Sequence, residues 1–178
     1  MDRLLQQAWR EFDRLAPLVP QEPTIGSRMN VRLACFTLAF LQATTAAGVE
    51  RSYAIELIAD AAWKIYKKWA ALPRLVARLV SRDPIERMDR SINAFLRFPF
   101  NPPAYVFERL ATDDGTAFHV RRCPVADYFR AHSAPDLCGG TWCNLDYALA
   151  ELWGGKLGRT TTLVEGYDRC NFHFKAVR

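Results

Sequence analysis

The sequence predicts an α+β fold with helices first and a cysteine-bearing antiparallel sheet last, and three observations predict it. Apolar residues recur at helical spacing up to residue 97, the period shortens to two beyond residue 104, and the run Phe98-Pro99-Phe100-Asn101-Pro102-Pro103 stands between the two regimes. A chain of 178 residues, half of them apolar, is long enough for one domain over 1–178 that buries about two thirds of its unfolded surface. The expected division is a helical half of about four helices over 1–97 and a sheet half over 104–178, the latter made of two hairpins separated by two short helices.

In the helical half, Leu4, Leu5, Ala8, Trp9, Phe12 and Leu15 share one face until Pro17 and Pro20 stop the pattern. After a connector to Ser27, residues 29–47 are apolar on nearly every side, as in a central helix that Gly48 ends. A third helix over 52–72 continues to about Val80 past a kink at Pro73. Asp83-Pro84-Ile85-Glu86 places an N-cap Asp before Pro and starts a helix that reaches about Leu96.

In the sheet half, residues 105–111 and 117–122 flank the turn Asp113-Asp114-Gly115 as a first hairpin. Residues 158–164 and 169–177 form the second, through Glu165-Gly166-Tyr167-Asp168. The final strand alternates, so Cys170, Phe172, Phe174 and Ala176 face the core and Asn171 and His173 face away. The short helices are expected over 124–131 and 142–152.

Composition narrows the function classes. The opening residues run straight into the amphipathic pattern, without the graded regions of a secretory leader, and five cysteines is an odd number; reduced thiols and a cytoplasmic location are therefore expected. The uncharged run 33–49 is shorter than a bilayer span, which leaves no transmembrane segment. The net charge of +5 is spread along the chain. Its densest stretch, Lys64, Lys67, Lys68, Arg74, Arg78 and Arg82 interleaved with apolar residues, is read as the solvated basic face of a helix in preference to a nucleic-acid or membrane-surface contact.

Chemistry concentrates late in the chain. Cys123, Cys138, Cys143 and Cys170 all fall in the last third. Cys123 precedes Pro124 and takes an N-cap position; with Thr141 as the next N-cap, Cys143 sits second in its helix. Both places favour a thiolate and should lower the thiol pKa. Asp146, three residues after Cys143, shares its helix face. Against this stands the ordinary reading of cysteine as a small core hydrophobe, which is assigned to Cys35 and stays open for each of the others singly. The spacing of Cys138 and Cys143 is a weak zinc motif, and His119, His132 and His173 are given structural roles. Arg159, beside Thr160, Thr161 and Thr162, offers a fork of donors for a carboxylate or for an ordinary salt bridge.

Taken together, Cys123-Pro124, Cys143-Asn144-Leu145-Asp146, Arg159-Thr160-Thr161-Thr162-Leu163, Gly166, Asp168 and Cys170-Asn171-Phe172-His173-Phe174 resemble the C-terminal signature of the L-2-amino-thiazoline-4-carboxylic acid hydrolase family. The resemblance implies a hydrolase that opens a cyclic amidine, a thiazoline-type small molecule, by cysteine-assisted C–N bond hydrolysis without a cofactor. It implies Cys143 as nucleophile, Asp146 as its proton partner with Cys123 beside them, and Arg159, Thr162 and Cys170 as substrate contacts. Two features depart from the pattern: Asn171 stands where the family usually has Asp, and Cys138 matches no family position. The same residues also resemble, more distantly, the vinyl-reductase-type sensor domains. That likeness implies a non-catalytic small-molecule-binding protein in which Cys123, Cys138, Cys143 and Asp146 hold a structural zinc. A partner-binding accessory subunit is a third reading, and a homo-oligomer is left open.

Overall fold

The computed structural model describes residues 2–177. Helix α1, Asp2–Leu15, lays its apolar face against α2, Ile25–Ala46. Helix α2 is central, with Val31, Ala34, Cys35, Leu38, Ala39 and Leu41 almost fully buried. It starts four residues before the expected position 29. Thr24 and Ser27 form a reciprocal cap in which each hydroxyl accepts the other residue's backbone N–H, at 3.1 and 3.2 Å, and the serine does the work of the acidic residue usually sought there. Gly48, at φ +88°, closes the helix as expected. Helix α3, Arg51–Val80, runs through Pro73, and α4, Pro84–Arg97, is capped by Asp83, whose carboxylate accepts from Ile85 N–H at 3.0 Å. No helix among the described residues is long and apolar enough to cross a membrane.

The second half forms one antiparallel sheet of four strands in the order β1-β2-β4-β3, from β1 Val106–Leu110, β2 Gly115–Arg122, β3 Gly155–Gly158 and β4 Cys170–Ala176. The helical half packs on this sheet, largely through α4. The register of β4 keeps Cys170, Phe172 and Phe174 on the inner side, as the alternation requires. The third strand departs from expectation: β3 ends at Gly158, where the strand was expected to begin, and residues 159–164 are not strand. The threonine run has high strand propensity, but its polar groups find local partners first. The Asn171 side-chain oxygen accepts from Thr160 N–H at 2.9 Å, Thr161 N–H at 2.8 Å and the Thr161 hydroxyl at 2.9 Å. Thr162 caps a 3-10 turn, Leu163–Glu165.

Between β2 and β3, α5 spans Pro124–Ala131 as expected. The next helix begins earlier than 142, because Pro135–Cys138 (α6), a π-helical turn Gly139–Cys143 and Leu145–Leu152 (α7) follow one another with helical backbone at the junctions. Thr141 is therefore not an N-cap; its hydroxyl donates back to the Leu137 carbonyl. Gly139 and Gly140 lie inside the turn, and at Gly140 an added Cβ would come within 2.6 Å of Ile55 Cγ2 on α3. We expect Gly140→Ala to destabilise the protein by roughly 1–3 kcal/mol in urea unfolding, since a stiff β-branched side chain must move to admit the methyl group.

Candidate active site

A cavity of about 120 Å³ lies between α3 and α4 on one side and the sheet with α5, α6 and α7 on the other. Cys123, Cys138, Cys143, Cys170, Asp146 and Arg159 all line it. Each arrives from a different place: Cys123 from the joint of β2 and α5, Cys138 from the end of α6, Cys143 from the end of the π turn, Asp146 from the first turn of α7. Cys170 opens β4, and Arg159 follows the end of β3. Thr162 is not brought to the cavity. Its hydroxyl accepts from Glu165 N–H at 3.3 Å and donates to the Glu165 carboxylate at 2.7 Å, so the expectation of a substrate contact at Thr162 is replaced by a capping role. Cys35 lies in the core with no exposed surface, and none of the three histidines lines the cavity.

The π turn explains why two cysteines five residues apart meet. In an α-helix the residue at i+5 lies about 140° around the axis, whereas the wider turn closed by the i→i+5 hydrogen bond of a π turn brings the two positions nearer to one face. The Sγ atoms of Cys138 and Cys143 are accordingly 3.9 Å apart, as free thiols.

Electrostatics at the site is dominated by desolvation, and this overturns one expectation from the helix starts. Cys123 does occupy the N-cap of α5, yet burial pushes its thiol well above the ordinary range, against the pull of the Ala126 and Val125 N–H groups. Burial likewise pushes Cys170 up to about 12, although Leu163 N–H donates to its sulfur at 3.2 Å. Cys138 is raised by its contact with Cys143 and by burial. Cys143 ends the π turn and so is not at a helix start at all.

The charged pair in this apolar chamber is Asp146 with Arg159, their Oδ2 and Nη1 atoms 2.8 Å apart. The same nitrogen donates to the Cys143 carbonyl at 3.0 Å. The guanidinium carbon stands 5.0 Å from the centre of the Tyr147 ring and 5.4 Å from that of Phe172, inside cation–π range. Burial raises Asp146 to about 6, and the charge and hydrogen bond of Arg159 offset only part of that rise. For Arg159 burial works against the charge, but the Asp146 carboxylate beside it favours the charge and its pKa is raised.

Because the folded pKa of Asp146 lies above the ordinary aspartate value of 3.8, the folded state binds the proton more tightly than the unfolded chain. Its contribution to stability is then fully present below pH ~4 and lost as pH rises through about 6. Urea unfolding of the wild type and of Asp146→Asn across pH 4–7 should show this slope, on the order of 2 kcal/mol, in the wild type alone.

The residue that departs from the family pattern, Asn171, does not line the cavity. Its oxygen takes the three donors of residues 160–161, as a carboxylate could, and its amide donates to the Thr160 hydroxyl at 2.8 Å. It thereby anchors the loop that carries Arg159. Asp168 pairs with Arg121 at 2.8 Å and Arg169 at 3.1 Å on the outside of the sheet, and Gly166 adopts φ +94° at the end of the 3-10 turn.

Aromatic walls complete the cavity. Tyr66 and Phe95 come from α3 and α4, Phe118 and Phe172 from the sheet, and Trp142 from the π turn. In the sequence these rings sit at core spacing, and nothing in their pattern separates wall from core. Among the described residues no three His, Cys, Asp or Glu side chains come together in a way that could hold a metal, and Oδ2 of Asp146 is paired with Arg159.

Comparison with known proteins finds one family whose model matches, described as L-2-amino-thiazoline-4-carboxylic acid hydrolase, over residues 36–174. No curated protein matches, and no solved structure matches.

Proposed function

The chain belongs to the L-2-amino-thiazoline-4-carboxylic acid hydrolase family, and from that premise we propose that it hydrolyses a small cyclic amidine in the cysteine-lined cavity, with Cys143 as nucleophile. The observation that carries this reading is that Cys143, Asp146 and Arg159, which the signature singles out, line one cavity. Its volume of about 120 Å³ approaches that of an apolar cavity known to take one benzene ring. An amidinium and a carboxylate on such a ring complement the two halves of the Asp146–Arg159 pair.

The Cys143 sulfur adds to the amidine carbon and its proton passes by way of Asp146 to the ring nitrogen. The ring C–N bond then breaks, with its electron pair going to the protonated nitrogen. Water adds to the carbon now bound to Cys143, the thiol departs, and the carbon leaves as a carbamoyl group on the substrate sulfur. Cys123 and Cys170, held as neutral thiols by burial, form the wall against which the ring packs. Free thiols are a requirement of this chemistry and suit the reducing cytoplasm.

Asp146 takes up the thiol proton only as a carboxylate, so kcat/KM should rise with pH as its carboxyl ionises, with a midpoint at about 6. Asp146→Asn should lose that rise together with a factor of ~10²–10⁴ in rate. Product analysis tests the bond: C–N cleavage creates a new amine and no new thiol, whereas release of a free thiol means that the C–S bond opens and refutes this route. A thiol-alkylating reagent at neutral pH should label Cys143, with substrate protecting it, and should spare Cys35, which has no exposed surface.

A further inference from the structure

The outer flank of α3 is unused by the fold and by the cavity. Ile65, Trp69, Leu72, Val76 and Leu79 are between 51 and 79% exposed. Their spacing of four, three, four and three aligns them in one row along the helix. The row lies beside the face that α3 buries against its own domain at Ala70 and Ala77, and Leu75 and Val80, also more than half exposed, widen it. Single exposed apolar residues are ordinary on a protein surface, but a contiguous strip of this length marks a contact.

The same stretch is strongly basic. Residues 61–82 contain Lys64, Lys67, Lys68, Arg74, Arg78 and Arg82 and no Asp or Glu, so this segment alone outweighs the net charge of +5 of the whole chain. At about 100° per residue, Lys64, Lys68 and Arg78 fall on the solvent side next to the apolar row. Among the described residues Lys64, Lys67 and Lys68 make no ion pair, which leaves their charge available to a partner.

We propose that this flank of α3 docks the protein on an anionic lipid bilayer surface. The apolar row enters the headgroup–acyl boundary and the lysines meet the anionic headgroups, the two requirements of a helix lying in the plane of a membrane. A second copy of the chain is the poorer occupant, because it would set one acid-free basic segment against another. Trp69, an amphipathic ring in the middle of the row, suits the interface in the same way.

The test is flotation of the purified full chain with vesicles of phosphatidylcholine alone and with vesicles containing phosphatidylglycerol. Binding to the anionic vesicles at 0.1 M salt, at least ~10-fold weaker on neutral vesicles and weakened again at 0.5 M salt, is expected. Leu72→Glu/Leu79→Glu and, separately, Lys64→Glu/Lys68→Glu should each reduce binding at least ~10-fold with unchanged thermal unfolding, since all four side chains lie on the solvent side. No flotation, equal flotation with both vesicle types, or a dimer in solution that Leu72→Glu/Leu79→Glu converts to monomer overturns the proposal. None of these readouts depends on catalysis.

Discussion

Cys143→Ser is expected to lower kcat/KM by at least ~10³-fold while leaving the melting temperature within a few degrees of wild type. The substitution exchanges sulfur for oxygen at nearly constant shape, so packing changes little, but a serine hydroxyl is far harder to ionise and is a weaker nucleophile toward an amidine carbon. The same change at Cys123 or Cys170 should cost no more than about tenfold, because both thiols are held protonated by burial and serve as wall. Steady-state rates on 2-aminothiazoline-4-carboxylate for the three variants decide the assignment. If Cys143→Ser stayed within tenfold of wild type and Cys123→Ser did not, the nucleophile would have to be reassigned to the head of α5.

The second large effect is on stability. Arg159 has a side chain only 5% exposed and is paired to Asp146, whose own side chain is 27% exposed, so Arg159→Met leaves a largely desolvated carboxylate without its partner. Breaking a buried pair from one side costs about 3–5 kcal/mol. For a chain of this size that corresponds to a fall in melting temperature of roughly 6–20 °C at pH 7. The loss should shrink toward pH 5, because without Arg159 the Asp146 carboxyl rises further above about 6 and takes up a proton in its place. The double variant Arg159→Met/Asp146→Leu should recover most of the stability, as neither charge remains to be compensated, and none of the activity. A fall of less than about 1 kcal/mol in the single variant would mean that the pair is solvated in solution.

How much of this was legible in the sequence differs by element, for identifiable reasons. Asp83 before Pro84, Gly48 at the end of α2, the bounds of α5 and the inward face of β4 follow from local rules that tertiary contacts did not override. The convergence of Cys123, Cys143, Cys170, Asp146 and Arg159 on one hollow was also readable, because their order matches a signature and their elements meet at the inner face of the sheet. Four things were not. The π turn brings Gly140 against Ile55 of α3, a contact between distant residues, whereas local rules place an N-cap at Thr141. The end of β3 depends on one side chain, Asn171, which takes the backbone donors of Thr160 and Thr161 away from any ladder. The acidity of the thiols depends on burial by residues distant in the chain, which outweighed the N-terminal dipole of α5 at Cys123. The aromatic walls carry no mark that separates them from core until the space between them is seen.

Catalysis in the shared cavity is tested most directly by a crystal structure of the Cys143→Ser variant grown with 2-aminothiazoline-4-carboxylate. The ring should lie between the aromatic walls with its amidine carbon about 3–3.5 Å from the serine oxygen, its carboxylate on Arg159 and its ring nitrogen toward Asp146. Ligand bound elsewhere, or a metal ion held among Cys123, Cys138 and Asp146 in the wild-type protein, would contradict it.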